Sequence, residues 1–471
     1  MFGLIQIGLV SLFLITWSVR LCAQIPAPSP TPPPYQPQRY DEDWGFLSDP
    51  GRRSEPLDRL KYIPLHYREW YVSLGGEARW RFEHFSEFAF GAGPQDGNGY
   101  WLQRYLLHAD WHLGQRVRVF TQLQSGIENG RNGGPRLTDD DRLELHQAFI
   151  DLKFGPENNS LILRLGRHEM DLGAGRLISS GEGLNVKRSF DGARLIWKTR
   201  RWITNAQVDK LTSVKLGIFN DTPNPGLTYW GVGTTRSRPR HHGGESAFYI
   251  GLDRKVGLFD QGAGREVRHT FGFRSFGQYR NFDYNLDAFL QLGRFHSLRN
   301  PGTIRAWAFS SDSGYALGHS HVRPRAGLRA DITSGDGNPK DKVLETFNPL
   351  LPGTTYSDTI GLIGAPNSIG LFPNLRVMPW RGIVTTVGSA FFWRQSTRDG
   401  IYSINVAPLR TGQLSRARYV GAQPSVRVDW PIQRHWTYTL VVSGFQTGGF
   451  LKETPPGKVT SYITSWITFK F

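Results

Sequence analysis

The chain ends in YITSWITFKF, Tyr462 to Phe471, and the residues of this stretch alternate in character. One parity carries Ile463, Ser465, Ile467, Phe469 and Phe471, whereas the other carries Tyr462, Thr464, Trp466, Thr468 and Lys470. A β-strand with one apolar face, closed by an aromatic residue, is typical of the last strand of a bacterial outer-membrane barrel. The stretch therefore predicts an all-β fold, a transmembrane antiparallel up-and-down β-barrel in the bacterial outer membrane.

The rest of the sequence fits a barrel of about 18 strands. From Tyr71 onward about 17 runs alternate with a period of two residues, and bacterial barrels have an even number of strands. Mean hydropathy is only −0.40 although the chain holds 54 Gly, 29 Phe and 15 Trp, because only half of each strand would face lipid. We therefore predict the barrel over residues 71–471, surrounded by outer-membrane lipid.

Two segments precede the predicted barrel. Phe2 to Val19 is an apolar run that is too short for a membrane-spanning helix, so residues 1–23 are predicted to be a signal peptide. Lipid attachment at Cys22 is the alternative, but Arg20 directly before Leu21 fits such a site badly. Cleavage would remove the single cysteine and with it any disulfide or thiol chemistry. Residues 24–70 are predicted to form a Pro-rich linker and a periplasmic lead-in.

The charge of the chain points to an anionic partner. Lys and Arg number 56 against 40 Asp and Glu, and 44 of the 56 are Arg. A guanidinium group binds carboxylate or phosphate bidentately and stays charged, unlike the flexible point charge of Lys. Nucleic acid is not expected as a partner, because the basic residues alternate with lipid-type residues along strands instead of covering a soluble face.

The polar parity of the strands is predicted to face the lumen, since a charged side chain facing lipid costs roughly 2 to 4 kcal/mol at the membrane midplane. Trp80, Phe82, Leu328, Ile467 and Phe469 should then face lipid. The predicted solute-binding residues of the lumen are Arg79, Arg81, Arg116, Arg118, Arg164, Arg323, Arg325, Arg329 and Asp331. In the alternative interpretation these groups only pair with one another, but the excess of Arg over acid favours a solute.

Two blocks of sequence resemble the alginate export family of outer-membrane porins. The first runs from RLGRHE at Arg164–Glu169 through Gly173, Gly175, Arg176, Leu177, Asn185 and Arg188 to FDGAR at Phe190–Arg194. The second runs from Arg323–Pro324 through SGDGNP at Ser334–Pro339, Asp341 and Phe347–Pro349 to Tyr356. The likeness covers roughly Ser73 to Phe471.

This resemblance implies an 18-stranded barrel whose Arg-rich lumen passes an anionic uronic-acid polymer. It adds to the solute-binding set the residues Arg167, Arg176, Arg188, Asp191 and Arg194. Family members often have Gln at the position of His168. This difference leaves the implied fold unchanged but bears on which polymer is transported. Strand parity places Arg167 on the face opposite Arg164, so that one of them would need a bulge or a strand end to reach the lumen.

The segment Ser334 to Phe372 is too long for an ordinary turn and is predicted to be functional. Strand counts from the two ends of the chain collide between about Lys210 and Gly370, so they leave open which side of the membrane holds it. We predict that it folds inward as a plug, and a surface lid is the alternative. The predicted gating residues, which would pair with lumen arginines, are Asp336, Asp341 and Glu345.

No enzyme, cofactor or metal site is predicted. The sequence lacks a Gly-x-Ser-x-Gly elbow, a His-Glu-x-x-His motif and a phosphate-binding loop with its Lys. His241–His242 is interpreted as part of a solvated loop, and the acids after Ser334 lack the regular spacing and late Glu of a calcium loop.

Three functions follow from these observations. Export of a carboxylated, alginate-like polysaccharide through a monomeric channel, with periplasmic export proteins as candidate partners, is the first. A general or small-anion uptake porin is the second. A barrel adhesin that displays Ser334 to Phe372 and transports nothing is the third, from a different class.

Overall fold

The computed structural model describes residues 33–67, 69–172, 175–239, 242–297, 301–318, 320–353, 360–380 and 382–471. The predicted signal peptide 1–23 and part of the predicted linker, 24–32, lie outside these ranges, as do Gly173, His241 and Tyr356. Within them, none of the helices has the length and apolar character needed to cross a bilayer.

Eighteen long strands form one antiparallel sheet that closes on itself. The first nine are β1 (Trp70–Ser86), β2 (Tyr100–Leu113), β3 (Val117–Asn129), β4 (Asp141–Phe154), β5 (Asn159–His168), β6 (Phe190–Thr199), β7 (Trp202–Ser213), β8 (Thr222–Arg238) and β9 (Gly243–Phe259). The second nine are β10 (Gly262–Tyr279), β11 (Phe282–Ser297), β12 (Pro301–Ala316), β13 (Arg325–Thr333), β14 (Ser368–Trp380), β15 (Ile383–Arg394), β16 (Tyr419–Pro431), β17 (Trp436–Thr447) and β18 (Thr460–Lys470). Pairing of β1 with β18 closes the barrel, which confirms the predicted fold.

Short elements occupy the links and the segment before β1. This segment contains the 3-10 helices Arg39–Asp41, Gly45–Ser48 and Pro50–Arg52, the helix Asp58–Lys61 and the short strand Ile63–Pro64. The links contain the short helices Phe88–Gly91 and Gly449–Glu453 and the short strands Val343–Leu344, Ile401–Tyr402 and Pro408–Arg410.

The two faces of the strands alternate as lipid and lumen require. Leu328 is exposed on the outer face, and Phe82 packs 5.3 Å from the exposed ring of Trp101. On the opposite parity Arg79 is buried, where it contacts a segment inside the barrel. The predicted assignment of lipid-facing and lumen-facing residues in these strands is therefore confirmed.

The links at the two ends of the barrel differ in length. At one end lie short links, among them 114–116, 155–158, 200–201, 280–281 and 432–435. At the other end lie the long links 87–99, 130–140, 169–189, 334–367, 395–418 and 448–459. Because short turns mark the periplasmic end of such barrels, the long links are extracellular.

This arrangement explains why strand counting from the sequence fails in the middle of the chain. The links 214–221 and 260–261 are extracellular by strand order but are as short as periplasmic turns. The segment 334–367 lies at the extracellular end, a point that the sequence left open.

Arg323, which was predicted to face the lumen, lies outside the strands. β13 begins at Arg325, whereas Arg323 lies in the link before it with a φ of +41°. Pro324 has no N–H to donate to a neighbouring strand, so regular pairing starts after it. Arg323 is consequently not part of the lumen row that Arg325 and Arg329 continue.

Candidate functional site

The extracellular link 169–189, here called the inner loop, folds into the lumen. Arg79 of β1 donates to the carbonyl oxygens of Glu182 at 3.1 Å and Leu184 at 2.6 Å. Arg104 of β2 donates to the same two carbonyl oxygens, each at 2.8 Å. Arg81 donates to the carbonyl oxygen of Gly183 at 2.8 Å. Three arginines of adjacent strands therefore hold one short stretch of the inner loop.

The inner loop is also fastened to the opposite wall. Arg176 is fully buried, with Nε 2.9 Å from Asp287 of β11 and Nη1 3.0 Å from Asp331 of β13. These strands lie across the barrel from β1 and β2, so the inner loop crosses the lumen. Two residues that were predicted to bind solute, Arg176 and Asp331, pair with each other as part of this anchor.

The link 334–367 packs on the inner loop. The Leu351 N–H donates to the Leu177 carbonyl at 2.8 Å, and the Ser179 N–H donates to the Leu351 carbonyl at 3.0 Å. Arg188 of the inner loop donates to the Pro352 carbonyl at 3.0 Å. Leu351 and Pro352 of the long link thus pack inside the barrel against the inner loop.

A buried polar network ties the same link to the wall. The side chain of Asn348 donates to Glu266 of β10 at 2.8 Å, and its carbonyl accepts from Gln291 of β11 at 2.7 Å. Arg268 donates to the Thr346 carbonyl at 3.2 Å. Because every group in this network is buried, releasing the link would leave polar atoms without partners.

Within the described ranges, Asp336, Asp341 and Glu345 pair with no arginine of the lumen, contrary to the predicted gating contacts. Asp336 is buried beside Asp399, whose carboxylate accepts the Asp336 N–H at 2.9 Å. Asp341 accepts the N–H of Val343 within its own turn at 2.7 Å. Glu345 lies 3.8 Å from Arg305, which has the outward parity of β12.

Burial raises the pKa of the Asp336 carboxyl to about 7. The N–H of Asn338 lowers this pKa, and the carboxylates of Asp399, Asp341 and Glu345 raise it. Asp336 is therefore a titratable group within the packed link.

Residues 33–67, the N-terminal segment, enter the lumen from the periplasmic end. Tyr40 is buried between Phe120 and Phe149, with ring centroids 6.1 Å and 5.5 Å away. Its hydroxyl donates to the carbonyl of Glu169 at 2.9 Å, at the base of the inner loop. The Arg164 guanidinium lies 4.2 Å over the Tyr40 ring.

The N-terminal segment is also joined to both strands of the barrel closure. Arg39 donates to the Gly76 carbonyl of β1 at 3.0 Å and to the Phe471 carbonyl, next to β18, at 2.7 Å. Arg39 is buried and pairs with Glu42 at 2.6 Å. The N-terminal segment is therefore packed against the inner wall of the barrel and contacts both of its closing strands.

On the periplasmic side of the inner loop, the described residues enclose a basic and a balanced cavity. The basic cavity, of about 1260 Å³, is lined by eight basic and four acidic residues: Arg79, Arg81, Arg104, Arg325, Arg329, Arg376, Arg427 and Lys470 against Glu182, Asp283, Asp312 and Asp429. The balanced cavity, of about 1410 Å³, is lined by six of each: Arg116, Arg118, Lys153, Arg164, Arg194 and Lys198 against Asp41, Glu42, Asp43, Glu69, Asp151 and Glu157.

The two cavities differ because of the N-terminal side of the chain. Four of the six acids in the balanced cavity precede β1, and the wall strands supply an excess of basic residues in both cavities. The N-terminal segment and its junction with β1 therefore neutralise one of two cationic surfaces.

Some arginines of the basic cavity have acidic partners and others do not. Arg325 donates to Asp283 at 2.8 Å, and Arg427 donates to Asp429 at 2.7 Å. Among the residues that the structure describes, no carboxylate lies within 4 Å of Arg376, which is exposed to the cavity. The cavity thus keeps positive charge that is not cancelled by direct pairing.

The predicted solute-binding residues divide into two groups. Eight line a cavity: Arg79, Arg81, Arg325 and Arg329 the basic one, and Arg116, Arg118, Arg164 and Arg194 the balanced one. Six line neither: Arg167, Arg176, Arg188, Asp191, Arg323 and Asp331.

Arg167 and Asp191 pair at 2.8 Å on the outward parity, which they share with the exposed Leu165 and Leu195. Placing them in the lumen was therefore wrong, because neither strand has a bulge there that would turn them inward.

Residues that the sequence interpretation missed include Arg104, Arg376 and Asp41. Arg104 shares its parity with the buried apolar residues Leu102 and Leu106. The lumen-facing parity of β2 is therefore not recognisable in the sequence as a polar row. Asp41 belongs to the acidic run Asp41–Asp43 after the Pro-rich stretch, and this run was the available signal.

The model of the family described as alginate export matches residues 70–464. The chain belongs to the alginate export family. A sequence comparison with curated proteins gives no match. This chain is a porin-like β-barrel of the bacterial outer membrane.

Several solved porins of Pseudomonas aeruginosa share the fold of this alginate export family chain. OccD3 (OpdP) has a TM-score of 0.56 and 14% identity, over 93% of this chain and 99% of that one. OccK2 (OpdF) in complex with glucuronate has a TM-score of 0.55 and 11% identity, over 85% and 98%. OpdK with vanillate has a TM-score of 0.54 and 9% identity, over 84% and 98%. At these identities the likeness establishes the fold.

The block of sequence that resembles the alginate export family has a structural centre in the inner loop. His168, at its start, is fully buried, with Nδ1 3.1 Å from the Gly166 carbonyl and Nε2 3.6 Å from Asp209. It lines neither cavity, so its difference from Gln does not alter the cavity walls directly.

Proposed function

We propose that this chain is a passive, non-enzymatic channel for carboxylated solutes and that the basic cavity is their path. The observation that carries the proposal is the excess of eight basic over four acidic residues around that cavity. A water-filled cleft with low-dielectric walls and one predominant sign of charge concentrates counter-ions. Arginine in particular matches the planar geometry of a carboxylate.

The balanced cavity is the less suitable path. Its six acids offset its six basic residues, and Asp151 holds Arg164 by two bonds of 2.8 Å each. Tyr40 and the Arg118 side chain also close part of it, since Arg118 donates to the Tyr40 carbonyl at 2.5 Å. An anion would therefore meet a weaker field there.

Export of a carboxylated polysaccharide is the leading assignment, supported by membership of the alginate export family. Uptake of small anions is the second candidate, favoured by the two links that narrow the lumen and by similar porins solved with glucuronate and vanillate. An adhesin is disfavoured, because Thr346, Asn348 and Pro352 of the link 334–367 contact the wall and the inner loop inside the barrel. A monomer with periplasmic export partners remains a prediction.

The experiment is measurement of reversal potentials for the purified protein in planar bilayers under a KCl gradient. We expect anions to be more permeant than cations, with a preference that falls as salt rises, because the screening length is about 8 Å at physiological ionic strength. Arg325→Gln with Arg329→Gln should lower the preference. Arg265→Gln, on the outward parity beside Asp253, is the matched control and should not change it.

Reversal potentials that do not respond to the double substitution would reject the basic cavity as the path. Absence of conductance in the parent protein would reject a channel and favour the adhesin. Efflux of uronate oligomers of increasing length from liposomes then distinguishes a polysaccharide channel from a small-anion channel. Retention of all but the monomer would assign the channel to small anions.

A further inference from the structure

A crevice of about 620 Å³ opens on the outside of the barrel at its extracellular end. It forms where β13 ends at Thr333 while β12 continues upward to Pro301. Its floor is made by Leu290 and Trp307, which are neighbours in the register of β11 and β12. The crevice is separate from both lumen cavities.

The crevice faces lipid. Leu290 is 46% and Trp307 is 42% exposed, whereas Ala306 and Ala308 on the other parity of β12 are buried. Tryptophan concentrates at the membrane interface, where its ring meets both acyl chains and headgroups. Trp307 lies one residue above Ala308, the partner of Thr333, and is therefore level with the extracellular end of β13.

Three arginines stand around the crevice above this apolar floor. Arg305 has a side chain that is 70% exposed, two residues above Trp307 on the same face. Arg398 donates to the Gly337 carbonyl at 3.0 Å, and Arg418 donates to the Gln395 carbonyl at 2.8 Å. All three are exposed and belong to the wall or to the extracellular link 395–418.

The charge of these arginines is largely uncompensated. Arg398 and Arg418 bond to neutral carbonyl oxygens, and no carboxylate of the described residues lies within 4 Å of either. Of the described residues that line the crevice, Glu345, 3.8 Å from Arg305, is the single acidic one. Carbonyl partners orient a guanidinium and leave its charge for a ligand.

We infer that this crevice binds an anionic lipid of the outer leaflet. A phosphate-bearing headgroup would contact Arg305, Arg398 and Arg418, and an acyl chain would lie over Trp307 and Leu290. The complementarity has two parts, a cationic rim at headgroup level and an apolar floor at acyl level. Neither a soluble anion nor a neutral lipid would use both parts.

The test is native mass spectrometry of the detergent-purified protein with a bis-phosphorylated disaccharide lipid. The comparison ligands are the same lipid without its phosphates and inorganic phosphate alone. The substitutions Arg305→Gln, Arg398→Gln and Arg418→Gln should together weaken retention of the phosphorylated lipid at least about tenfold, which corresponds to about 1.4 kcal/mol. A control with the same loss of charge replaces the exposed Arg142, Arg238 and Arg265 and should retain the lipid.

Equal retention by the triple variant and the control would overturn the proposal. Equal binding of the lipid without phosphates would also overturn it, and inorganic phosphate that binds as tightly as the lipid would reduce the site to a free-anion site. If the triple variant does not assemble, Arg305→Gln and Arg398→Gln are measured singly, and each should still weaken retention.

Discussion

Arg104 of β2 lies 3.1 Å from the carboxylate of Glu182, and the same guanidinium donates to Glu77 of β1 at 2.8 Å. One arginine thus joins the barrel wall to the inner loop, which crosses the lumen. Lys187 also lies 3.0 Å from Glu182, whose side chain is 48% exposed toward the basic cavity. The inner loop is therefore fastened at this end by ionic contacts at the edge of the proposed path, where a polyanion could compete for them.

Replacement of Glu182 by Gln should loosen the inner loop and raise anion preference. The change removes a carboxylate that Arg104 and Lys187 share, and a hydrogen bond to a charged group contributes about 1.5 to 3 kcal/mol. Single-channel recordings should show larger or more variable conductance, and the reversal potential should shift toward that of the anion. Asp253→Asn, on the outward parity and outside both cavities, is the control; identical traces for parent and Glu182→Gln would contradict the expectation.

Replacement of Arg176 by Met should be more damaging than any change at the cavity surface. It would remove the cation that the buried Asp287 and Asp331 share, and breaking a buried pair costs about 3 to 5 kcal/mol. We expect a lower midpoint of heat-induced unfolding on electrophoresis, together with higher conductance from a displaced inner loop. Arg427→Met serves as the comparison, since its partner Asp429 is partly exposed. An unchanged midpoint would show that the anchor is dispensable.

Replacement of Asp41 and Asp43 by Asn should make the balanced cavity conduct anions better. Both carboxylates line this cavity, and Arg118 and Arg164 bind the backbone and ring of the adjacent Tyr40. Anion over cation permeability should rise while the barrel stays folded. Asp49→Asn, in the same segment but outside both cavities, provides the reference. A fall in anion preference would be inconsistent with neutralisation by this segment.

The packing of the link 334–367 should weaken with rising pH. The pKa of Asp336 is raised by burial from its ordinary value of 3.8 to about 7, so the packed link holds the proton more tightly than a released one. The stabilisation is complete in acid, falls as pH rises between these two pKa values and changes little above them. Conductance should increase over this interval in the parent. Asp336→Asn should remove the dependence, whereas Asp341→Asn should preserve it.

The alternation of strands could be predicted because lipid imposes it residue by residue. When Arg79 and Arg329 face the lumen, the two-residue alternation places Phe82 and Leu328 on the lipid-facing side. The same alternation correctly placed the cavity arginines of β1, β3 and β13. Strand ends are less determined by local pattern. Arg323 fits the period of two but lies beyond the proline at which pairing stops.

The positions of the inner loop, the link 334–367 and the N-terminal segment could not be predicted to the same degree, because contacts between residues far apart in the sequence determine them. Arg176 pairs with Asp331, 155 positions away, and nothing near either residue in the sequence indicates this partner. Whether an arginine faces a solute or an acid also depends on segments that arrive from elsewhere. The N-terminal segment changes the charge of one cavity although its own sequence reads as a polar lead-in.

The contacts of Arg39 with Gly76 and Phe471 bear on the order in which the molecule is assembled. Gly76 and Phe471 belong to the two sides of the seam, and they are adjacent only after β1 and β18 have joined. The pair of carbonyl acceptors that Arg39 binds is therefore not assembled in the open sheet. The segment that precedes β1 in the chain can therefore take its final place only after β18 has joined β1, and its protection from protease would report that the seam has formed.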